Sequence, residues 1–336
     1  VPGSLMHWRF LRQDGRTFLY GSGQSNTLCE WKADGSIRPL ACFGSAHHFS
    51  YSRGWRPPEA FVEAFNKAYP DAKYKAGQDG RPSHGPGVLW VDRSGDGEMQ
   101  AEEFEFSTNA SALGSGSWGH DLLDLTIRVP VTVGGKPAIA VLKPDGFDAR
   151  GVPKYPRLTD AVAAAVPLRD VPALGYRGVQ VESAVDRRGN VILKTDPAMT
   201  CFAPDGTLRW RYPNRWSDVH GSHDAPLPET GVMQGTLFFL GMAPLDEQAD
   251  VTILNGNHGR FFALTSDGLY LDEMFKDVRM GGALDATLIG GECFGGFFAR
   301  SERDGAYYLQ SGHTDYRIFR LHGLDIQFPV PQPGQF

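Results

Sequence analysis

The dipeptide Asp-Gly occurs eight times in this chain of 336 residues, and most copies stand between two short runs rich in apolar and aromatic residues. Asp-Gly supplies the positive-φ residues that tight hairpin turns require, so each unit is typical of two antiparallel strands joined by a short turn. Three units share this layout: CFAPDGTLRWRY, FFALTSDGLYLDEMF and FARSERDGAYYLQSG. The sequence therefore predicts one hairpin unit repeated along the chain.

The repeated units divide the chain into six blocks, each about as long as a four-stranded propeller blade with insertions. The blocks span about 5–45, 46–112, 113–157, 175–216, 218–280 and 284–328. The 41 glycines, 23 prolines and 12% aromatic residues suit many short strands and tight turns. We expect an all-β fold, a β-propeller of about six blades (five to seven), as a single domain over 1–328 with an extended proline-rich tail over 329–336. A β-sandwich is the alternative architecture.

Two segments carry helical rather than strand patterning. Between Pro57 and Tyr69, apolar residues recur at helical spacing after prolines that suit a first helical turn. The segment from Leu158 begins with a Thr-Asp capping signal and stops at Pro167. We predict a short helical insert at each place.

Charge and hydropathy exclude several classes of protein. The chain has 33 Lys and Arg against 39 Asp and Glu, a formal net charge of −6, which excludes a basic nucleic-acid binder. No apolar run approaches the roughly 18 residues that a membrane span needs. The sequence also lacks a P-loop, a G-x-S-x-G elbow and an H-E-x-x-H helix, which removes the commonest nucleotide, serine-hydrolase and zinc-protease interpretations.

The clearest chemical motif is DRSGDGEMQAEE, Asp92 to Glu103, which resembles the EF-hand calcium loop. Oxygen donors occupy positions 1, 3, 5, 7, 9 and 12 of these twelve residues, and Gly97 occupies position 6, where the chain turns sharply. The predicted calcium ligands are Asp92, Ser94, Asp96, the Glu98 carbonyl, Gln100 and a bidentate Glu103. Hard oxygen donors in a flexible loop favour Ca²⁺ over Mg²⁺. The alternative is a solvated acidic turn without a metal.

The flanks of this loop depart from a paired-helix calcium switch. GVLWV before the loop is typical of a strand, and only AEEFEF follows it. Ser94 at the third position lowers the donor charge and so weakens binding. The expected role of calcium is structural, because the ion would fix a long insertion between two strands.

A calcium loop inside a turn-rich β chain is similar to secreted bacterial β-propeller proteins with NHL or quinoprotein-like repeats. The C-terminal segments NGNHGRFFALTSDGLYLDEMF and GGECFGGFFARSERDGAYYLQSG carry the same resemblance. Such propellers often accompany carbohydrate-active modules. The resemblance implies an extracytoplasmic location, secreted or periplasmic, with carbohydrate or other domains of a larger parent protein as partners.

Several histidines stand in glycine-rich connections, and a propeller brings such connections together at one mouth. VHGSHD contains the predicted catalytic residues His220, His223 and Asp224. A transition metal (Zn, Mn, Fe or Cu) could be held by His220, His258 and His313, as in a metal-assisted polysaccharide lyase or hydrolase. The alternative is that each imidazole is an ordinary loop or core residue.

Aromatic rings and arginines alternate in WRYPNRW. Rings stack on the apolar faces of sugars and Arg binds carboxylates, so this segment predicts substrate binding through Trp210, Tyr212, Arg215 and Trp216. Packing between neighbouring blades is the alternative role for these rings.

Cys29 and Cys42 flank the turn that contains Asp34 and Gly35. A hairpin closed on Gly35 and Ser36 places the two thiols opposite each other, whereas closure on Asp34 and Gly35 sets them two residues out of register. The sequence leaves a disulfide open, and a bridge would indicate an oxidising compartment.

Three functions follow from these patterns. The leading one is an extracytoplasmic calcium-binding propeller that processes or binds carbohydrate. The second is a non-catalytic protein-interaction scaffold. The third is a quinone-dependent sugar dehydrogenase, which ranks last because it needs calcium beside the cofactor inside the ring, whereas this loop is expected at the periphery.

Overall fold

Antiparallel strands make up most of the computed structural model of the protein. The structure describes residues 7–22, 26–46, 57–72, 86–107, 110–112, 124–171, 183–194, 198–215, 229, 231–235, 237–256, 258–277, 285–286, 288–289, 295–312 and 316–324. Within these residues the chain forms 24 strands and two α-helices. Neither helix has the length and apolar character needed to cross a membrane.

The first blade is a sheet of six antiparallel strands in chain order. Its strands are β1 (His7–Gln13), β2 (Arg16–Ser22), β3 (Asn26–Trp31), β4 (Ile37–Ser45), β5 (Gly87–Val91) and β6 (Phe104–Ser107). Helix α1 (Glu59–Ala68) lies in the chain between β4 and β5. Its buried Phe61 and Phe65 pack in one cluster with Trp90 and Phe104, so the insertion after β4 covers one face of β5 and β6.

Four further sheets follow as blades two to five, each mainly an antiparallel meander. Blade two contains β7 (Ala110–Ala112), β8 (Ile127–Val133), β9 (Lys136–Leu142) and β10 (Val166–Pro167), with helix α2 (Leu158–Ala163) before β10. Blade three contains β11 (Ser183–Val185), β12 (Val191–Lys194), β13 (Ala198–Phe202), β14 (Leu208–Arg215) and β15 (Met233–Gln234). Blade four contains β16 (Phe238–Pro244), β17 (Asp250–Asn255), β18 (Phe261–Thr265) and β19 (Tyr270–Met274). After the short parallel pair β20 (Lys276–Asp277) and β21 (Leu288–Ile289), blade five contains β22 (Gly296–Arg300), β23 (Tyr307–Ser311) and β24 (Ile318–Leu321).

Each blade contacts the next one along the chain, and the fifth contacts the first. The hydrogen bonds at successive junctions run from Arg16 Nη2 to Gly151 O (2.8 Å), Arg169 N to Gly206 O (3.1 Å), Trp210 Nε1 to Ser266 O (2.9 Å) and Tyr307 Oη to Pro244 O (2.6 Å). Between blades five and one, the guanidinium carbon of Arg9 lies 5.8 Å from the centre of the Phe297 ring. Five sheets joined in this cyclic order form a five-bladed propeller.

Separate apolar clusters fill the spaces between successive blades. Phe18 of blade one packs with Val129 of blade two, for example, and Phe298 of blade five packs with Leu240 of blade four. Because both faces of an inner strand are covered, β17 and β18 are buried along their whole length. The periodicity of a half-exposed strand appears instead in β24.

The structure confirms the all-β propeller with two short helices and places its blade count at five, inside the range of five to seven. The difference from six arises because the strands of the first block, 5–45, and the first two strands of the second, 46–112, share one sheet, while β7 at the end of the second block belongs to blade two. Residues Ala41–Ser45 of β4 pair with β5 across the inserted helix, so the second block extends the first blade instead of forming its own. The proline-rich tail over 329–336 lies outside the described residues.

The described cysteines, Cys29, Cys42 and Cys201, form no disulfide. A bulge between Leu28 and Cys29 sets Cys29 opposite Pro39 and Cys42 opposite Thr27, so the two thiols are out of register. Burial raises the pKa of the Cys29 thiol to about 12. The unbridged alternative is therefore the one that the fold adopts.

Candidate functional site

The loop from Asp92 to Glu103 joins β5 to β6, and the structure describes all of it. Two glycines turn the chain in the left-handed region, with φ of +83° at Gly95 and +81° at Gly97. A Cβ at Gly95 would lie 2.4 Å from Cδ of Arg150, so a side chain there would collide with the neighbouring connection. Glycine at the sixth position supplies the sharp turn of a calcium loop.

The side-chain oxygens at positions 1, 3, 5 and 9 of the loop converge. Ser94 Oγ lies 3.3 Å from Asp92 Oδ1 and 3.2 Å from Gln100 Oε1. Gln100 Nε2 donates to Asp96 Oδ2 at 2.9 Å. Asp92 Oδ1 also accepts the backbone N–H groups of the two turn glycines, at 3.0 and 3.1 Å. These bonds hold four of the predicted ligand side chains in one polar cluster.

The carboxylate of Glu103, at position 12, is buried and points back into the loop. Its Oε1 accepts Ser94 N–H at 2.8 Å, and its Oε2 accepts the Trp90 indole N–H at 2.9 Å and the Gln100 N–H at 3.3 Å. A carboxylate offers about four acceptor sites, so these three bonds leave room for a cation.

Arginines tie the loop to the rest of blade one and to blade two. Arg38 Nε and Nη2 donate to Oδ2 of the fully buried Asp92, at 3.0 and 2.9 Å. Arg38 Nη1 also donates to Arg150 O at 3.0 Å, and Arg150 Nη1 donates to Arg93 O at 3.2 Å. The ion pair balances part of the charge of Asp92, which lowers the attraction of the loop for a cation.

The donor set fits calcium in its chemistry. It consists only of oxygens from carboxylates, a hydroxyl and an amide, the ligands that Ca²⁺ prefers. A hydrogen bond from the backbone N–H of Glu98 lowers the pKa of Asp96, which keeps that carboxylate ionised. In the described part of the chain, no three His, Cys, Asp or Glu side chains are grouped so as to hold a metal ion. A cation at this loop would therefore depend on Ser94 and Gln100 as well, and its binding stays a prediction.

A second candidate site is a groove of about 1060 Å³ between blades one and five, here called the blade-one/blade-five groove. One wall carries Phe10 of β1 and Trp31 of β3, which are 60% and 43% exposed. Their ring centroids are 5.5 Å apart, and the ring planes are inclined by 38°. The opposite wall is the turn 301–303 between β22 and β23. The groove thus presents two adjacent aromatic rings to solvent.

The groove has an excess of positive charge. Its charged lining residues are the cations Arg12, Arg16, Lys32 and Arg303 and the carboxylates Glu30 and Glu302. Arg16 Nε donates to Glu30 Oε1 at 2.7 Å, and this bond lowers the pKa of Glu30. Arg12 lies 3.6 Å from Glu302, with both side chains largely exposed. Among the ion pairs of the described residues, none uses Lys32 or Arg303.

The predicted substrate-binding residues of β14 lie at the junction of blades three and four. Trp210 donates to Ser266 O at 2.9 Å and packs against Gly268. The Tyr212 hydroxyl donates to Gly231 O, and its ring stacks on Tyr270. These contacts account for both rings as packing between elements, while substrate binding there stays a prediction. The backbone of Arg215 ends β14, and Trp216 lies outside the described residues.

Of the predicted histidine site, the structure describes one member. His258 is buried, at 7% exposure, and has a left-handed φ of +55° in the connection between β17 and β18. The other predicted residues, His220, His223, Asp224 and His313, lie outside the described residues. The catalytic and transition-metal assignments therefore stay predictions.

The groove residues were not singled out by the sequence analysis. Phe10 and Arg12 are two residues apart on β1, so they share a face of the strand. Thr17 pairs with Trp31, and Arg12 pairs with Thr17, which puts Arg12 and Trp31 in one row across the sheet. Alternation in WRFLRQ indicates this face, but the wall from blade five carries no sequence signal.

No protein-family model matches the chain, and no curated protein matches it. Among solved structures, it is similar to an engineered GH43 glycoside hydrolase with endo-xylanase and exo-arabinofuranosidase activity (9% identity, TM-score 0.40), covering 99% of this chain and 56% of that one. It is also similar to an exo-1,5-α-L-arabinanase from a bovine ruminal metagenomic library (13% identity, TM-score 0.35), covering 95% and 94%. A third similar structure is the allergen Mala s 1 of Malassezia sympodialis (10% identity, TM-score 0.35), and the match covers 94% of this chain and 92% of the allergen. The chain spans only about half of the engineered hydrolase, and at these TM-scores the five-bladed assignment rests on the sheets themselves.

Proposed function

We propose that this protein is an extracytoplasmic, calcium-binding β-propeller that binds carbohydrate in the blade-one/blade-five groove. The observation that carries the carbohydrate assignment is the exposed pair Phe10 and Trp31, side by side in an open groove. Clustered exposed aromatic rings mark binding sites, because water contact with such apolar surface is unfavourable. Sugars present apolar C–H faces to such rings and hydroxyl groups to the polar side chains around them.

The calcium assignment rests on the converging oxygens of the loop 92–103. Ser94 replaces a carboxylate at the third position, and Arg38 offsets the charge of Asp92. Both features lower the affinity for Ca²⁺ toward the range of extracellular modules, roughly 10⁻⁴ to 10⁻³ M. A loop of that affinity fills only where calcium is abundant, which supports an extracytoplasmic location. The buried thiols, such as Cys29, are compatible with an oxidising compartment because burial makes them inert.

Calorimetric titration with neutral and acidic oligosaccharides tests the carbohydrate assignment. Wild-type protein should bind at least one of them, and Trp31→Ala should lower the affinity at least about tenfold through loss of ring stacking. Tyr316→Ala is the matched control, because Tyr316 is an aromatic residue 70% exposed outside the groove. If no carbohydrate binds, or if both variants bind carbohydrate with equal affinity, the proposal is wrong. Either result would favour the alternative function, a non-catalytic protein-interaction scaffold.

Thermal unfolding with and without Ca²⁺ tests the calcium assignment. Saturating calcium should stabilise the wild type, by about 2.7 kcal/mol at a concentration 100-fold above Kd. Asp96→Ala, which removes the ligand oxygens of position 5 altogether, should abolish this response. Asp34→Ala is the control, because each carboxylate accepts a backbone N–H two residues ahead, from Glu98 at 2.8 Å and from Ser36 at 2.9 Å. An equal calcium response in both variants would show that the loop is not the site.

Three finer assignments remain part of the proposal without a described site behind them. These are a relationship to NHL or quinoprotein-like repeats, a transition metal on the histidines, and polysaccharide lyase or hydrolase activity. Elemental analysis of the purified protein separates the last two from carbohydrate binding alone, since a stoichiometric transition metal is expected only if the histidines bind one.

A further inference from the structure

We propose that the blade-one/blade-five groove selects glycans that carry anionic groups, carboxylates or sulfates, over neutral ones. This inference rests on the proposed carbohydrate binding and names its ligand class. The charge of the lining carries it: four cations face two carboxylates, which leaves two positive charges in excess. The chain as a whole has a net charge of −6, so this excess is a local property of the groove.

Each of the two carboxylates of the groove forms an ion pair with an arginine, Glu30 with Arg16 and Glu302 with Arg12. Glu30 accepts from Arg16 in a largely buried pair, with side chains 16% and 23% exposed. Arg16 is held further by a 2.8 Å bond from Nη2 to Gly151 O, so this pair forms a fixed part of the wall. The charges of Arg16 and Glu30 balance each other, so this pair adds little to the binding of a charged ligand.

The remaining cations stand on both sides of the aromatic pair. Lys32 follows Trp31 at the end of β3, and Arg303 lies in the turn of the opposite wall. Both side chains belong to exposed residues, and the ion pairs of the described residues do not use them. A sugar stacked on the rings would therefore meet a lysine from one wall and a guanidinium from the other.

Arg12 forms the third part of this cationic rim. Its contact with Glu302 is 3.6 Å long, and the two side chains are 75% and 80% exposed. Exposed pairs of this kind are worth about 0 to 1 kcal/mol, so a ligand carboxylate or sulfate competes with Glu302 at little cost. Guanidinium matches the planar carboxylate and the sulfate oxygens in two-point contacts.

The test is calorimetric titration of the intact chain with four probes of equal length: an oligogalacturonide, a sulfated oligosaccharide, a neutral xylo-oligosaccharide and an oligoglutamate peptide. We expect at least one of the two anionic sugars to bind tighter than the neutral sugar, with an affinity that falls as salt is raised. Comparison of the uronic and sulfated sugars identifies which anion is preferred. Equal affinity for neutral and anionic sugars, or tighter binding of the peptide, would overturn the inference.

Variants then separate this inference from the proposed function. Lys32→Gln and Arg303→Gln should each lower the affinity for the anionic sugar about three- to fivefold, and the double variant should remove its advantage over the neutral sugar. Arg320→Gln, an exposed arginine of β24, is the charge-matched control and should leave the preference unchanged. If the anionic preference survives the double variant, the inference fails while carbohydrate binding stands. Loss of all sugar binding in the wild type would instead remove both.

Discussion

Blade one has two junctions with its neighbours, and they use the same residue types in opposite ways. At the junction with blade two, Asp92, Arg38 and Arg150 bind one another or backbone carbonyls across the loop 92–103. At the junction with blade five, Phe10 and Trp31 face solvent, and the ion pairs of the described residues do not use the nearby Lys32 and Arg303. At the first junction these charged groups all bind other parts of the fold, whereas the second leaves two aromatic rings and two cations open to solvent. We therefore assign stability to the first junction and binding to the second.

The largest expected effect is that of Asp92→Asn at the junction with blade two. The variant leaves Arg38, only 12% exposed at its side chain, without a counter-charge. Breaking one partner of a buried pair costs about 3 kcal/mol of unfolding free energy. Urea unfolding measures this, and a loss no greater than that of the exposed turn variant Asp34→Asn would contradict a structural role for Asp92.

A smaller and pH-dependent effect is expected from Glu30→Gln in the groove wall. The hydrogen bond from Arg16 lowers the pKa of Glu30 below its unfolded value of about 4.3, so the ionised pair stabilises the fold above that pH. This stabilisation is lost as pH falls through the folded pKa. Unfolding free energies of wild type and variant should therefore differ at pH 7 and converge below about pH 4. A difference that is constant from pH 7 to 3 would exclude the ion pair as its cause.

Smaller still is the expected effect of Trp31→Ala on stability. Because the side chain is 43% exposed, we expect the free energy of unfolding to fall by only about 1 kcal/mol, from partial burial and the contact with Phe10, although the affinity for sugar falls about tenfold. The urea midpoint measures it. A loss comparable to that of Asp92→Asn would mean that the groove is a packing junction like the other one.

No reaction at all is expected between a thiol reagent and Cys29, which lies on the groove face of the sheet in line with Leu19 and Phe10. Burial raises the pKa of its thiol to about 12, so the reactive thiolate is absent at pH 8. Labelling should appear only on unfolding. Fast labelling of the native protein would show that the wall beneath the aromatic pair opens.

The sequence predicted what is encoded locally. Alternation around Asp-Gly turns defines hairpins within about 15 residues, and the ligands of the loop 92–103 are contiguous, so both were readable. The exact blade count could not be predicted from the sequence, because β4 pairs with β5 although an insertion that contains α1 lies between them in the chain. The groove could not be predicted either, since Phe10 and Arg303 lie near opposite ends of the chain and come together only when the ring closes.

Terbium luminescence tests the calcium site most directly. The Trp90 indole donates to Glu103 Oε2 at 2.9 Å, so an ion held by that carboxylate lies beside an energy donor. Tb³⁺, which takes the oxygen ligands of Ca²⁺, should luminesce on tryptophan excitation and be displaced by Ca²⁺. Trp90→Phe should abolish the signal but keep stabilisation by calcium, whereas Asp96→Ala should abolish both. Wild-type protein without sensitised emission, or emission that survives Trp90→Phe, would contradict calcium binding at this loop.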